Sequence, residues 1–124
     1  MIDHLSVGVS DLARSIAFYD AVLGALGYVR LFAKESGAGW GRAGDRDEAF
    51  AVVREPEARA AGPGAHVAFT ARTREAVDAF HAAALATGAR DEGAPGLRRE
   101  YGDGYYAAFV RDLDGHKLEA VCHE

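Results

Sequence analysis

The chain has 124 residues, with 14 Lys and Arg against 19 Asp and Glu and a net charge of −5; that length suits one domain with one core. The acidic balance argues against phosphate-backbone binding as the main activity, and a single cysteine excludes an internal disulfide framework and a four-cysteine zinc site. No apolar run approaches the roughly 18 to 20 residues of a membrane span, and Met1-Ile-Asp-His4 opens no signal peptide, so a cytoplasmic domain without nucleic-acid or membrane partners is expected.

Residues 1–9 alternate with period two: His4, Ser6 and Gly8 point one way, Leu5, Val7 and Val9 the other, as in a strand. Ser10 stands in the N-cap place ahead of Asp11. Leu12, Ile16, Tyr19, Leu23 and Leu26 then recur at helical spacing, with Gly24 and Gly27 as stops. Three short strands are expected at 29–33, 39–43 and 49–53, divided by glycine-rich and charged turns. A Pro, Gly and Ala stretch at 55–64 separates this half from the next. The second half repeats the order, beginning with a strand at 66–71. A helix capped by Thr73 carries Val77, Phe80, Ala84 and Leu85 and stops at Gly88. A short strand at 89–92, a polar loop to Asp103, and strands at 105–111 and 116–123 complete it. The last turn, Asp112-Leu-Asp-Gly115, has good hairpin chemistry.

The halves superimpose at an offset of 62, with His4-Leu-Ser-Val on His66-Val-Ala-Phe, Phe18 on Phe80 and Leu23 on Leu85. Matching Asp45-Arg-Asp47 to Asp112-Leu-Asp114 sets Ala51 or Val52 opposite Glu119. The element order and the overlay together predict an α+β fold of two βαβββ modules, residues 1–54 and 65–124.

Strand parity puts His4, His66 and Glu119 opposite the helix-packing faces of their strands. Singly, each is an ordinary polar residue on a solvated strand face. Together, on three strands lining one concave surface, two imidazoles and a carboxylate form a ligand set for a divalent first-row metal with open positions. Two other motif matches fail. Gly39-Trp-Gly41-Arg-Ala-Gly44 has the dinucleotide spacing but no helix after it. With Gly115 as the sixth residue of a calcium loop, positions one and twelve are Val110 and Val121, which cannot ligate.

At these residues the chain resembles the vicinal oxygen chelate superfamily of glyoxalases, fosfomycin resistance enzymes, extradiol dioxygenases and epimerases. The resemblance runs through Ile2-Asp-His4-Leu-Ser-Val-Gly-Val-Ser-Asp11-Leu, Phe18-Tyr19, Leu23-Gly24 and Gly64-Ala-His66-Val-Ala-Phe69. It is most specific in Tyr106-Ala-Ala-Phe109-Val-Arg-Asp112-Leu-Asp114-Gly115-His116-Lys-Leu-Glu119. It implies a cup-shaped, eight-stranded mixed sheet with helices outside, and a metal held by His4, His66 and Glu119, Glu119 also being the catalytic candidate. The metal is Zn, Ni, Mn, Fe or Co. A fourth carboxylate, present in glyoxalases, is replaced here by Ala51 or Val52, with Glu48 in the turn before them. The implied activity is that of a lyase or thiol transferase, with a dioxygenase behind it, on a small oxygen-chelating metabolite or xenobiotic. A non-catalytic, drug-sequestering binding protein is the alternative. Relatives of this size pair as homodimers, in which His4 can meet His66 and Glu119 of another chain.

Further candidates lie around this set. Arg98 or Arg99 can clamp an anionic end of a substrate. In the cluster Tyr101, Tyr105 and Tyr106, the substrate-binding assignment falls on Tyr101 and Tyr106, and Trp40 and Phe50 can wall the cup or pack in the core. His116 reads as a turn or surface residue, His81 as structural and Cys122 as buried. His123 shares the parity of Glu119.

Overall fold

A computed structural model describes all residues 1–124. Its order is β1 (Leu5–Val9), α1 (Leu12–Ala25), β2 (Val29–Lys34), β3 (Gly37–Gly41), β4 (Phe50–Arg54), then β5 (Val67–Thr70), α2 (Arg74–Ala86), β6 (Arg90–Leu97), β7 (Tyr105–Arg111) and β8 (Lys117–His123). The eight strands form two four-stranded mixed sheets, ordered β1-β4-β3-β2 and β5-β8-β7-β6. Each half is therefore a βαβββ unit in which the first strand runs parallel to the last and the other neighbours are antiparallel. The repeat extends to register. Ser6 pairs with Ala51 as Ala68 pairs with Glu119, so Ala51, rather than Val52, is the counterpart of Glu119.

The helices bury one stripe each: Phe18, Tyr19, Val22 and Leu23 from α1, Val77, Phe80 and Ala84 from α2. They pack on each other as well as on the sheets, and one cluster of 19 buried residues draws from both halves. Neither half closes its own core. Leu85, which the repeat aligns with buried Leu23, is 43% exposed, because α2 turns Ala84 inward instead.

Two local expectations change. Asp11, not Ser10, caps α1 by accepting the Arg14 N–H. Ser10 is free to bond elsewhere: its hydroxyl donates to Asp114 at 2.5 Å. The segment expected as a short strand and a polar loop is mostly strand. β6 reaches Leu97 with two register shifts against β7, and a short 3-10 helix, Arg99–Tyr101, follows. Gly93 at φ 155° supplies a backbone conformation that L side chains rarely adopt, so the sequence's glycines mark bulges here rather than a strand end.

The hairpin turn of the second half is where the halves are joined. Tyr19 donates to Asp112 at 2.5 Å, both buried, and Ser10 bonds Asp114. The His116 Nε2 lies 2.7 Å from the Gly8 carbonyl of β1. His116, read from sequence as a surface residue, is 9% exposed because its ring fills this seam.

Candidate metal and substrate site

Parity on β8 turns Leu118, Ala120 and Cys122 to the helix side and Glu119 to the other face. His66 immediately precedes β5, which pairs with β8, and its Nε2 lies 3.0 Å from Glu119 Oε1. Tyr105, on β7, donates to the second carboxylate oxygen, Oε2. Glu119 is 1% exposed, so a buried carboxylate has a polar partner at each oxygen. Burial, then the hydrogen bond and charge of Glu119, push the Tyr105 hydroxyl up to about 12. It therefore stays protonated at neutral pH and acts as a donor. His123 sets its ring edge-on to Tyr105 at 5.1 Å, consistent with its shared parity.

His66, Tyr105 and Glu119 line a cavity of about 650 Å³ together with Arg98, Glu100, Tyr101, Phe109 and Lys117. Arg98 folds back over β6: its guanidinium donates to the Ala94 carbonyl and lies over the Phe109 ring at 5.5 Å. Gly93 and Gly96 make room for it, since a Cβ on either would come within 3.1 or 3.2 Å of the guanidinium. Lys117 Nζ lies 5.2 Å from the same ring.

Of the residues singled out from sequence, Arg98 and Tyr101 face this cavity with His66 and Glu119. Arg99 lies in the 3-10 helix outside its lining. Tyr106 turns the other way. It is paired with Cys122 and its hydroxyl donates to Asp78 on α2, so of the two adjacent tyrosines it is Tyr105 that faces the cavity. Trp40 and Phe50 also sit on the helix face, where they stack around Tyr19 in the core, at 1% and 5% exposure. They reach a more apolar cavity of about 480 Å³ at the junction of the halves, lined also by Leu5, Tyr28, Phe69 and, from the other cavity's edge, His66. Lys117 was not singled out. Its signal was parity, being two residues before Glu119.

His4 stands apart from His66 and Glu119. Its Nδ1 lies 2.7 Å from Asp3, whose hydrogen bond and charge, with a smaller contribution from Glu48, raise its pKa. No three His, Cys, Asp or Glu side chains of one chain are grouped to hold a metal ion. The first half nevertheless repeats the second: its corresponding face carries His4, Ser6, Ala51 and Gly39. Glu48 lies over that face. A Cβ at Gly39 would fall 2.8 Å from the Glu48 Cβ.

The donor set fits a metal in part. An imidazole nitrogen and a carboxylate oxygen are ligand types a divalent first-row metal takes, and those of His66 and Glu119 stand side by side, 3.0 Å apart. A tyrosine hydroxyl on the carboxylate's other oxygen is the usual kind of support behind a metal ligand.

Residues 1–120 match the family model described as the Glyoxalase/Bleomycin resistance protein/Dioxygenase superfamily. The chain belongs to that superfamily. A glyoxalase/bleomycin resistance protein from Albidiferax ferrireducens is 37% identical, with a TM-score of 0.80 over 96% of this chain and 95% of the other. A putative glyoxalase from Bacillus halodurans is 25% identical, with a TM-score of 0.69 over 98% and 94%. A variant of the fosfomycin resistance protein of Listeria monocytogenes, in complex with Mn(II) and a dihydroxypropylphosphonic acid, shares the fold at 18% identity. Its TM-score is 0.70 over 100% of this chain and 90% of the other. No curated protein matches the chain.

Proposed function

We propose that the protein is a metal-dependent enzyme of the vicinal oxygen chelate type, acting on a small molecule that presents two neighbouring oxygens. The observation that carries this reading is the His66–Glu119 pair, 3.0 Å apart on one face and backed by Tyr105. The third ligand is His4 of a second copy of the chain. Each half of one chain carries part of a site, and a two-fold dimer that sets the first half of one copy against the second half of the other completes two sites at once. A divalent ion bound there supplies Lewis-acid activation of the substrate's oxygens.

The chain's own groups do the rest. His66 presents its Nε2 lone pair when its proton sits on Nδ1. Tyr105 donates to Oε2 and so aims Oε1 of Glu119 toward His66. Glu119 is the carboxylate beside His66, and proton transfer to or from bound substrate is assigned to it. Tyr101 and Phe109 provide an aromatic wall. The reaction class is of the lyase or thiol-transferase kind.

The test is metal analysis of the purified protein and of folded His4→Ala, His66→Ala and Glu119→Ala variants. Near-stoichiometric divalent metal is expected in the parent and a large loss in each variant. Full metal retention in all three would end the proposal. The junction cavity favours a second reading, a non-catalytic binding protein of the drug-sequestering kind. Ligand binding that survives chelation, with no metal-dependent turnover, would establish that reading instead.

A further inference from the structure

The cavity beside His66 and Glu119 contains two cations, Arg98 and Lys117, that make no salt bridge, alongside the carboxylates of Glu92 and Glu100. Neither Arg98 nor Lys117 has a carboxylate oxygen within 4.0 Å, whereas Glu92, which lines the same cavity, is claimed by Arg111 at 2.6 Å. Both cations lie over the single ring of Phe109, at 5.5 and 5.2 Å from its centroid. Phe109 is in register with Glu119 on the neighbouring strand. Lys117 precedes Glu119 by two residues on β8 and so shares its face, and Arg98, just past β6, reaches the same face over Phe109. Arg98 is not a loose surface side chain. It is tied to the Ala94 carbonyl and laid over two glycines whose missing Cβ atoms leave it space.

We infer that Arg98 and Lys117 form an oxyanion subsite, and that the substrate carries a carboxylate, phosphate or phosphonate group besides the oxygens it presents to the metal. This rests on the site proposed above and names its substrate class. A planar guanidinium offers two parallel donors to such a group, and the lysine adds a point charge beside it. The bond to Ala94 uses one edge of the guanidinium, leaving further N–H groups for a ligand. Phe109 keeps water from one side of both cations, which strengthens their pull on an anion. The long β6 and its two register shifts then have a function, because they bring Arg98 back over the sheet.

The experiment uses the full-length protein after chelation, so that an anion cannot bind through a metal. Methylphosphonate, acetate and neutral ethylene glycol are titrated while backbone and arginine side-chain NMR signals are followed. Methylphosphonate is expected to bind with millimolar affinity, acetate more weakly and ethylene glycol not at all. Arg98→Gln and Lys117→Gln should each weaken methylphosphonate about 5- to 20-fold. Both should leave metal content unchanged. Equal binding of the three probes, or undiminished methylphosphonate affinity in both variants, overturns the subsite while leaving the metal site intact. Glu119→Gln separates the two ideas from the other side. It should lose metal and keep methylphosphonate binding when metal-free, and loss of that binding would overturn the independence of the subsite.

Discussion

Glu119 is a carboxylate held at 1% exposure, and it tolerates that position because His66 and Tyr105 occupy its two oxygens. Taking away one of the partners leaves a buried acceptor unmatched and frees the carboxylate to rotate. Tyr105→Phe is therefore expected to fold and to weaken metal binding by about 10- to 100-fold, the usual effect of losing a group behind a ligand. Calorimetric titration of the chelated protein with the metal reads this directly, and an unchanged affinity would show that Tyr105 does not position Glu119. Tyr106→Phe is the matched control, since its hydroxyl bonds Asp78 on the helix side. The difference between these adjacent tyrosines is one of parity. The hairpin at Asp112–Gly115 sets Phe109 opposite Glu119, and two steps of two back along β7, through Ala107, reach Tyr105. That step was available from sequence once the register was known, and the register is set by pairing between strands.

At the scale of elements, the Asp112–His116 turn shows how a family motif serves architecture. Its two aspartates and its histidine do not approach the metal site. They bond Tyr19, Ser10 and the Gly8 carbonyl and so tie the second half to the first. Asp112 also accepts the N–H groups of Asp114 and His116, so the turn's own shape and its docking depend on one carboxylate. Burial first, then the Asp112 charge, push the Tyr19 hydroxyl well above its ordinary range, which keeps it a donor. Tyr19→Phe removes one hydrogen bond to a charged group and is expected to cost about 1.5–3 kcal/mol, read as a lower urea midpoint with an unchanged slope. A midpoint equal to the parent's would mean that the seam does not depend on this bond.

Across the whole molecule, the core is single and the groups proposed to bind metal are divided. The helices and the Asp112 seam hold the two halves of one chain together, while His4 forms no three-ligand group with His66 and Glu119. A dimer that completes the site makes a prediction no monomeric site shares. Mixing His4→Ala chains with His66→Ala chains should regenerate one intact site per mixed dimer, because one interface then receives both unmodified halves. Metal content of the mixture is expected to rise well above that of either variant alone after subunit exchange. No rise, in a sample shown to exchange subunits, would refute the shared site.

The local pattern of residues determined the elements and the repeat. Period-two strands, capped helices and the offset of 62 needed only nearest neighbours along the chain, and those neighbours dictate backbone conformation. Strand parity also sufficed to put His66 and Glu119 on one face, because alternation follows from the pleat itself. The tertiary structure decided everything that depends on pairing between distant strands. It distributed the eight strands over two sheets, extended β6 through its glycines to carry Arg98, exchanged Tyr106 for Tyr105, and turned Trp40 and Phe50 into the core. It also joined the halves through His116 while holding His4 apart from the pair it matches in sequence. The physical reason is the same in each case: a side chain's face is set by its own strand, but its company is set by which strand the folded chain lays alongside.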